Sequence, residues 1–212
     1  MPGLYWNTVD PILERQLKDL MAAPIFSQFR LVGGTALSLQ LGHRKSIDID
    51  LFTDAPYQSI DFDFIDSYLR ACYKYVSHPT PGPIGFGRSY FIGEDDQHAV
   101  KVDIYYTDPF IRDPLKQDNI RMASTEEITA MKIDVIQRGG RKKDFWDVHE
   151  LMDIYTIEQM ITLHSERYPF DHDEQKIRKE LTNFEKADED FNPICLRGKH
   201  WEIIKLDLLE AL

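Results

Sequence analysis

The chain of 212 residues is long enough for one domain, or for a core with a smaller appendage. Its hydrophobic fraction of 42% and charged fraction of 29% are ordinary for a globular protein and exclude a largely disordered chain. The net charge of -11 excludes non-specific binding to DNA or RNA, because that affinity depends on many Lys and Arg contacts with phosphates.

The two cysteines, Cys72 and Cys195, lie far apart in the sequence and indicate neither a disulfide framework nor a zinc site. Residues 1–11 lack the basic segment and the apolar run of a secretion signal. The sequence also has no run approaching the ~18 consecutive apolar residues of a membrane span. These features predict a cytoplasmic protein that does not contact a membrane.

Periodic apolar residues predict an N-terminal helix over residues 9–21 and a second helix over residues 60–76. The packed side of the second helix would carry Phe64, Tyr68, Leu69, Cys72 and Tyr73. Residues 78–87 contain three prolines and three glycines, which predicts a loop or a tight turn.

Two extended runs, residues 89–93 and 98–106, are separated by an acidic, polar segment and predict an antiparallel hairpin. In the second run Val102 and Ile104 face one way, and Asp103 faces the other. The hairpin therefore carries a carboxylate opposite an apolar face.

The pattern becomes helical from Ser124, where Ser124 and Glu127 predict a capping box and Gly139-Gly140 predict the end of the helix. The buried stripe of this helix would consist of Ile128, Met131, Val135 and Ile136. Further helices are predicted over residues 143–155, 157–167, 173–185 and 199–212.

The strongest candidate site combines a glycine turn with two acids. The turn Gly33-Gly34-Thr35 follows an apolar strand and begins a helix, and the free N–H groups of a helix start suit a phosphate. On the next predicted strand, Asp48 and Asp50 share one face because side chains alternate with a period of 2. Two carboxylates placed in this way can hold Mg²⁺ beside the phosphates of a nucleotide.

Each part of this site also has a purely structural interpretation. The glycine pair alone would permit a tight turn, and the two acids alone could face solvent on a half-buried strand. Together they favour a metal site, because like charges on one face of a strand repel and require a cation. Asp103 would be a third ligand if its strand lies beside that of Asp48 and Asp50.

Two cations belong to the same hypothesis. Lys132 lies in the middle of the predicted apolar stripe, where an ammonium must extend to the surface, pair with a carboxylate or line a cleft. As a functional group it would neutralise the phosphates of a nucleotide. Arg44 precedes Asp48 closely enough to be a neighbour of the site.

Residues 138–143, RGGRKK, are the one concentrated basic segment of this acidic chain. Cations at the end of a helix interact favourably with its dipole, and the functional alternative is contact with a nucleotide or an RNA acceptor. Asp144 is then either the N-cap of the next helix or a catalytic carboxylate. Asp147 is its rival, and Asp144 is preferred because it borders the apolar face of that helix.

The order of these parts resembles the polymerase β-type nucleotidyltransferase pattern of glycine turn, Asp-x-Asp and a third acid between apolar residues. More specifically, residues 33–52, GGTALSLQLGHRKSIDIDLF, resemble the AbiEii/AbiGii toxin family of nucleotidyltransferases. Residues 131–151, MKIDVIQRGGRKKDFWDVHEL, resemble the Lys and Asp segment of that family. The resemblance covers residues 30–151.

The resemblance implies an α+β protein with a minimal nucleotidyltransferase fold, in which a mixed sheet is flanked by helices. We expect a core of residues 1–122 and a helical region of residues 123–212 that completes the active site. By position in the family, Asp48 and Asp50 bind metal, Lys132 contacts the triphosphate and Asp144 is the base.

The expected reaction is transfer of an NMP from an NTP to an acceptor hydroxyl, with release of pyrophosphate and two Mg²⁺ ions as cofactors. Such enzymes are often the toxins of toxin–antitoxin or phage-defence pairs, so tRNA and an antitoxin protein are expected partners. A small-molecule, antibiotic-type nucleotidyltransferase and a catalytically silent NTP-binding interaction protein are the alternatives. The residues with expected roles are Gly33, Gly34, Thr35, Arg44, Asp48, Asp50, Asp103, Lys132 and Asp144.

Overall fold

The computed structural model describes residues 3–81 and 86–212. The strands are β1 (Arg30–Leu31), β2 (Asp48–Thr53), β3 (Tyr75–Val76), β4 (Thr80–Pro81), β5 (Gly87–Gly93), β6 (Ala99–Tyr106), β7 (Leu115–Gln117) and β8 (Ile120–Met122). The helices are α1 (Pro11–Ala22), α2 (Gly33–Leu41), α3 (Phe62–Cys72), α4 (Thr125–Gln137), α5 (Lys142–Leu151), α6 (Ile157–Arg167), α7 (Glu174–Glu180), α8 (Glu185–Asp188) and α9 (Trp201–Glu210).

The described strands form one mixed sheet in the order β3-β5-β6-β2-β1-β8-β7, and β4 pairs with β5. Strand β2 runs parallel to β6 and antiparallel to β1, and β5 and β6 form the predicted antiparallel hairpin. The predicted loop of residues 78–87 lies partly outside the described residues. Among the described helices, none has the length and apolar character needed to cross a bilayer.

The alternation of side chains along β2 decides which residues enter the core. Ile49 and Leu51 are fully buried, whereas Asp48 and Asp50 are half-buried on the opposite face. Strand β6 alternates in the same way, and the register places Asp50 beside Asp103. The two strands therefore present their acids on one shared face.

Helix α4 begins at the predicted residue but without the predicted capping box. The Ser124 hydroxyl accepts a hydrogen bond from the N–H of Glu127 at 3.3 Å. The Glu127 carboxylate instead accepts bonds from the N–H groups of Ile111 and Arg112 and pairs with Arg167. Buried tertiary donors thus replace the local bond, because a buried carboxylate requires a charged partner.

Other predictions at the level of single elements were wrong. Val135 was placed in the buried stripe of α4, yet it is 40% exposed because its side of the helix borders a cleft. In α3 the buried residues are Ile65 and Leu69, whereas Phe64 and Cys72 are exposed. The helix also ends at Cys72, because the chain then becomes strand β3 and pairs with β5.

Strands β7 and β8 form a hairpin that was not predicted from the sequence. Asp118 and Asn119 form its two-residue turn, with positive φ angles of 51° and 64°. Asp and Asn are the residues other than glycine that adopt this left-handed conformation most readily. An Asp-Asn pair between two short extended runs was therefore the signal for this hairpin.

Candidate active site

A cleft of about 650 Å³ lies between the acidic face of β2 and helices α4 and α5. Seven of the nine residues with predicted roles line it, namely Gly33, Gly34, Arg44, Asp48, Asp50, Lys132 and Asp144. The other two residues contact this group from outside the cleft: Thr35 from the start of α2, and Asp103 from strand β6. The predicted site residues are thus gathered in one place.

The three carboxylates of β2 and β6 outnumber the two lysine ammonium groups that pair with them. Burial raises the pKa of Asp50 to about 6, and the charges of Asp103 and Asp48 raise it further than Lys132 and Lys143 can lower it. A carboxylate in this position binds its proton, or another cation, more readily than an exposed one.

Asp103 has one oxygen engaged and one oxygen free. Its Oδ2 accepts a hydrogen bond from Lys101 Nζ at 2.6 Å, whereas its Oδ1 is buried without a partner. Among the described residues, no three His, Cys, Asp or Glu side chains are already gathered as a closed metal cage. The donor set of carboxylate oxygens with an orphaned buried oxygen nevertheless fits a hard divalent cation such as Mg²⁺.

Both positions of the turn require glycine, because the side chains of other site residues approach them too closely for a Cβ atom. Gly33 has a φ of +68°, and a Cβ at this position would lie 2.6 Å from Asp50 Oδ2. A Cβ on Gly34 would collide with the Arg44 guanidinium. The glycine pair therefore permits the tight turn and also admits a site carboxylate and a site cation.

Thr35 has a different position from the one expected of a phosphate ligand. Its buried hydroxyl donates a hydrogen bond to the carbonyl of Asp48 and lies 2.8 Å from Ser46 Oγ. This side chain therefore joins the first turn of α2 to the start of β2, beneath the cleft.

Lys132 is buried and bound to two carboxylates. Its Nζ lies 2.7 Å from Asp144 Oδ1 and 2.7 Å from Asp147 Oδ2. Burial alone would lower the pKa of Lys132, but the charges of Asp147 and Asp144 raise it above its ordinary value. Of the three possibilities for this lysine, the structure shows pairing with carboxylates at the wall of a cleft.

Asp147 is the anchor of the site and does not line the cleft. Arg44 binds it through two hydrogen bonds of 2.6 and 2.7 Å, and His43 Nε2 lies 2.8 Å away. Burial would raise the pKa of Asp147, but the charges of Arg44 and Lys132, with these hydrogen bonds, hold it well below its usual range. Asp147 is thus a permanent anion that joins α5 to the segment before β2.

Asp144 and Asp147 are the two carboxylates of α5 considered for the role of base, and Asp144 is the one that lines the cleft. Its Oδ2 accepts a hydrogen bond from the N–H of Arg141 at 3.0 Å, which caps the start of α5, and its Oδ1 holds Lys132. Asp144 therefore serves the helix start and borders the cleft at the same time.

The basic segment of residues 138–143 is divided between three environments. Arg138 and Lys143 line the cleft, and Lys143 Nζ lies 3.9 Å from Asp48 Oδ2. Arg141 pairs with Asp190, whereas Lys142 is buried with its Nζ 5.4 Å from the centre of the Trp201 ring. Lys143 belongs to the basic segment singled out in the sequence, whereas Lys101 is a site cation that sequence reasoning did not single out. The period-2 spacing of Lys101 and Asp103 was the available signal for Lys101.

The mixed sheet, the acids on two parallel strands, and a cleft lined by both a lysine and a glycine turn are the arrangement expected of a nucleotidyltransferase. The fold is shared with a crystal structure of a putative nucleotidyltransferase from H. pylori, with a TM-score of 0.59 and 20% identity over 93% of this chain and 88% of that one. It is also shared with MenT4, a nucleotidyltransferase toxin from Mycobacterium tuberculosis H37Rv, with a TM-score of 0.56 and 14% identity over 95% and 83% of the two chains.

The family described as "Nucleotidyl transferase AbiEii toxin, Type IV TA system" matches residues 15–211. The chain belongs to this family of nucleotidyltransferase toxins. It is also 30% identical over 184 residues to an uncharacterized protein of Aquifex aeolicus (strain VF5), which covers 82% of each chain. The match to the family extends beyond both ends of the resemblance at residues 30–151 and confirms that resemblance. The folds shared with the two solved structures confirm the predicted fold class.

Proposed function

We propose that this nucleotidyltransferase moves an NMP from an NTP to a hydroxyl group of tRNA, depends on Mg²⁺ and releases pyrophosphate. The proposal is supported above all by the register of β2 and β6, which brings Asp48, Asp50 and Asp103 together on the face opposite Lys132. The buried, unpartnered Oδ1 of Asp103 supports a cation site among these acids, across the cleft from the ammonium that a polyphosphate would meet.

In this mechanism Asp48, Asp50 and Asp103 would hold the cation, which when bound would neutralise negative charge on the polyphosphate oxygens and make the reacting phosphorus a better electrophile. Lys132 has three N–H donors, and two of them are engaged by carboxylates, so the third is available to a phosphate oxygen. Gly33 and Gly34, at the start of α2, line the same cleft, and the free N–H groups of a helix start suit the same phosphates.

Asp144 is the proposed acceptor of the proton from the attacking hydroxyl. Each of its oxygens accepts one hydrogen bond in the structure, and each carboxylate oxygen has a second lone pair. Arg44 adds a fixed positive charge beside the glycine turn, where Asp147 prevents it from moving. Residues 1–122 would then supply the cation site, and residues 123–212 the lysine and the base.

The direct test is to incubate the protein with each α-labelled NTP, Mg²⁺ and total tRNA, and to compare it with the Asp48→Ala and Asp50→Ala variants. Label in tRNA from the wild type and at least about 100-fold less from the variants is expected, since loss of a catalytic electrostatic contact costs several kcal/mol of barrier. Asp96→Ala, in the exposed turn between β5 and β6, is the matched control. Equal labelling by all variants would contradict the proposal.

RNA is favoured over a small-molecule acceptor by Arg138 and Arg141, whose side chains are 63% and 64% exposed beside the cleft. The double variant Arg138→Ala with Arg141→Ala should bind tRNA more weakly and with a shallower salt dependence, because fewer counterions are released. Lys142 is left unchanged because it is buried. Unchanged tRNA affinity would identify this segment as a plain helix terminus and favour the small-molecule alternative.

A cognate antitoxin is proposed as the protein partner, because the matched family is described as a Type IV toxin–antitoxin system. Growth arrest when the wild-type protein is expressed in a bacterial cytoplasm, and normal growth when the Asp50→Ala variant is expressed instead, would support the role of a toxin that requires such a partner. Arrest of equal depth by that variant would separate toxicity from nucleotidyl transfer.

A further inference from the structure

The cleft has an apolar part that the roles proposed above do not use. Its wall there is built from aromatic residues of the sheet and its loops and from aliphatic residues of helix α4. Phe52, Tyr57, Phe86 and Tyr106 are aromatic, and Met131 and Val135 are aliphatic. One cavity of about 650 Å³ therefore joins the charged groups to an apolar surface.

The apolar part begins where the acids of β2 end. Side chains at every second position of a strand share a face, so Asp48, Asp50 and Phe52 follow one another along the cleft wall. At one end of this row, Asp48 lies 3.9 Å from the ammonium of Lys143. At the other end, two residues of a strand span ~7 Å, which leaves room for one sugar between a phosphate near Asp50 and a ring near Phe52. A nucleotide with its phosphates among the charged groups would thus place its base against the aromatic residues.

Tyr57 and Phe86 form an aromatic pair in this part of the cleft. Their ring centres lie 5.4 Å apart, and Tyr57 also packs edge-on against Tyr106 at 5.5 Å. The carbonyl of Phe86 accepts a hydrogen bond from the N–H of Tyr106 at 2.8 Å, which ties the pair to strand β6. Tyr57 and Phe86 are nevertheless 52% and 51% exposed. Large aromatic residues that stay exposed together in a cleft mark a binding surface.

A nucleobase fits this surface better than a phosphate or a sugar does. Every base has a π face, so stacking on an aromatic side chain favours its binding whatever the base. A phosphate or a ribose hydroxyl would instead lose water against the rings without gaining hydrogen bonds in return. Met131 and Val135 lie on the opposite wall, where they can cover the second face of the base. This position gives a role to Val135, whose exposure the helical pattern did not predict.

We propose that the nucleobase of the NTP binds in the apolar part of the cleft, stacked on the pair of Tyr57 and Phe86. The inference rests on the proposed function and deepens it, because the charged part must hold the polyphosphate for the base to reach this pair. Tyr57 and Phe86 then recognise the nucleoside, whereas the cation site and Lys132 recognise the phosphates.

The test compares ligands that differ by the nucleoside. Isothermal titration calorimetry with Mg²⁺ measures the affinity for a non-hydrolysable analogue of each of the four NTPs and for inorganic tripolyphosphate. We expect the wild type to bind its preferred analogue more tightly than tripolyphosphate. Tyr57→Ala and Phe86→Ala should each bind that analogue at least about fivefold more weakly, which is the lower limit for the loss of one stacking contact. Their affinity for tripolyphosphate should not change.

Two further variants separate the aromatic ring from other effects. Tyr57→Phe keeps the ring and should keep the affinity of the wild type for the analogue. Phe191→Ala is the matched control, because Phe191 is 92% exposed and is not among the residues that line the cleft. It should bind all of these ligands as the wild type does.

Wild-type protein that binds tripolyphosphate as tightly as every analogue would overturn the inference. Alanine variants with unchanged affinity for the analogues would also overturn it, and weaker tRNA binding by them would then assign the pair to the acceptor. An equal loss of affinity for tripolyphosphate and for the analogue would contradict it as well, because the base would add nothing to the difference.

The inference and the proposed function can fail separately. If the analogue binds as expected and the wild type labels no tRNA, the base subsite stands and the proposed transfer to tRNA fails. If Tyr57→Ala labels tRNA with the KM of the wild type for the NTP, the transfer stands and the subsite fails. If the wild type binds none of the four analogues, both fail.

Discussion

The Asp50 carboxylate lies between two other carboxylates and close to the backbone of Gly33. Burial and these like charges raise its pKa from 3.8 to about 6, so the ionised form opposes folding at neutral pH. The penalty is at most about 3 kcal/mol, and it disappears below the unfolded pKa. A residue whose ionised form is destabilised in this way is a candidate for function, because the cation of the proposed reaction would relieve that destabilisation.

We expect Asp50→Asn to lose nucleotidyl transfer by at least about 100-fold and yet to stabilise the metal-free protein. The stabilisation should be about 1–3 kcal/mol at pH 7.5 and should vanish near pH 4, where the wild-type carboxyl is also protonated. Urea unfolding at both pH values measures it, and Asp96→Asn is the control. If Asp50→Asn is less stable than the wild type at pH 7.5, the ionised Asp50 carboxylate does not destabilise the fold.

The two acids of α5 should separate into a structural and a reactive residue. Asp147→Asn removes the partner of Arg44, Lys132 and His43, so it should destabilise the fold by about 3–5 kcal/mol. Asp144→Asn retains the Asp147 contacts, so it should remain folded and lose transfer activity. Thermal unfolding and labelling of tRNA measure the two effects. A folded, fully active Asp144→Asn protein would exclude Asp144 as the base.

At the scale of elements, the site depends on the close packing of α2 against the segment before β2. Gly34→Ala should destabilise the protein by about 1–3 kcal/mol, because the added methyl group displaces an arginine that Asp147 holds at two points. Gly3→Ala is the control, since a Cβ there meets no atom within 4 Å. Equal unfolding midpoints for the two variants would contradict this packing.

The elements also show where prediction from periodicity works. Helix α6 and strand β6 follow the sequence pattern closely, because the buried residues recur with the helical period in α6 and at every second position in β6. Helix α3 was assigned too far along the chain, since residues 75–76 pair with β5, and this pairing is a property of the sheet. The helical pattern of residues 73–76 does not produce a helix, because strand β5 supplies backbone hydrogen bonds to residues 75–76.

At the scale of the whole molecule, protonation of His164 and protonation of Asp50 change the free energy of unfolding in opposite directions. Burial and the charge of Arg138 lower the pKa of His164 from 6.5 to about 4, so neutral His164 stabilises the fold above pH 6.5. This contribution, at most about 3 kcal/mol, is lost as the pH falls towards 4. Over part of the same range, protonation of Asp50 adds stability.

We therefore expect the wild-type free energy of unfolding to change little between pH 6 and pH 4 on account of these two groups. Asp50→Asn should lose stability more steeply on acidification than the wild type, and His164→Gln should lose it less steeply, whatever its stability at pH 7.5. Urea unfolding across this range measures the slopes. Equal slopes in the two variants would show that neither group titrates as proposed.

The sequence by itself determined the face on which each acid lies, the glycine turn and the misplaced lysine of α4. These follow from periods of 2 and 3.6, which are local properties of a strand and a helix. Only the tertiary structure decided that Asp50 stands beside Asp103, that Asp147 is an anchor and Asp144 borders the cleft, and that Lys101 enters the acidic cluster. Such contacts join segments far apart in the chain, and packing of the whole fold selects them because isolated strands and helices do not define their partners.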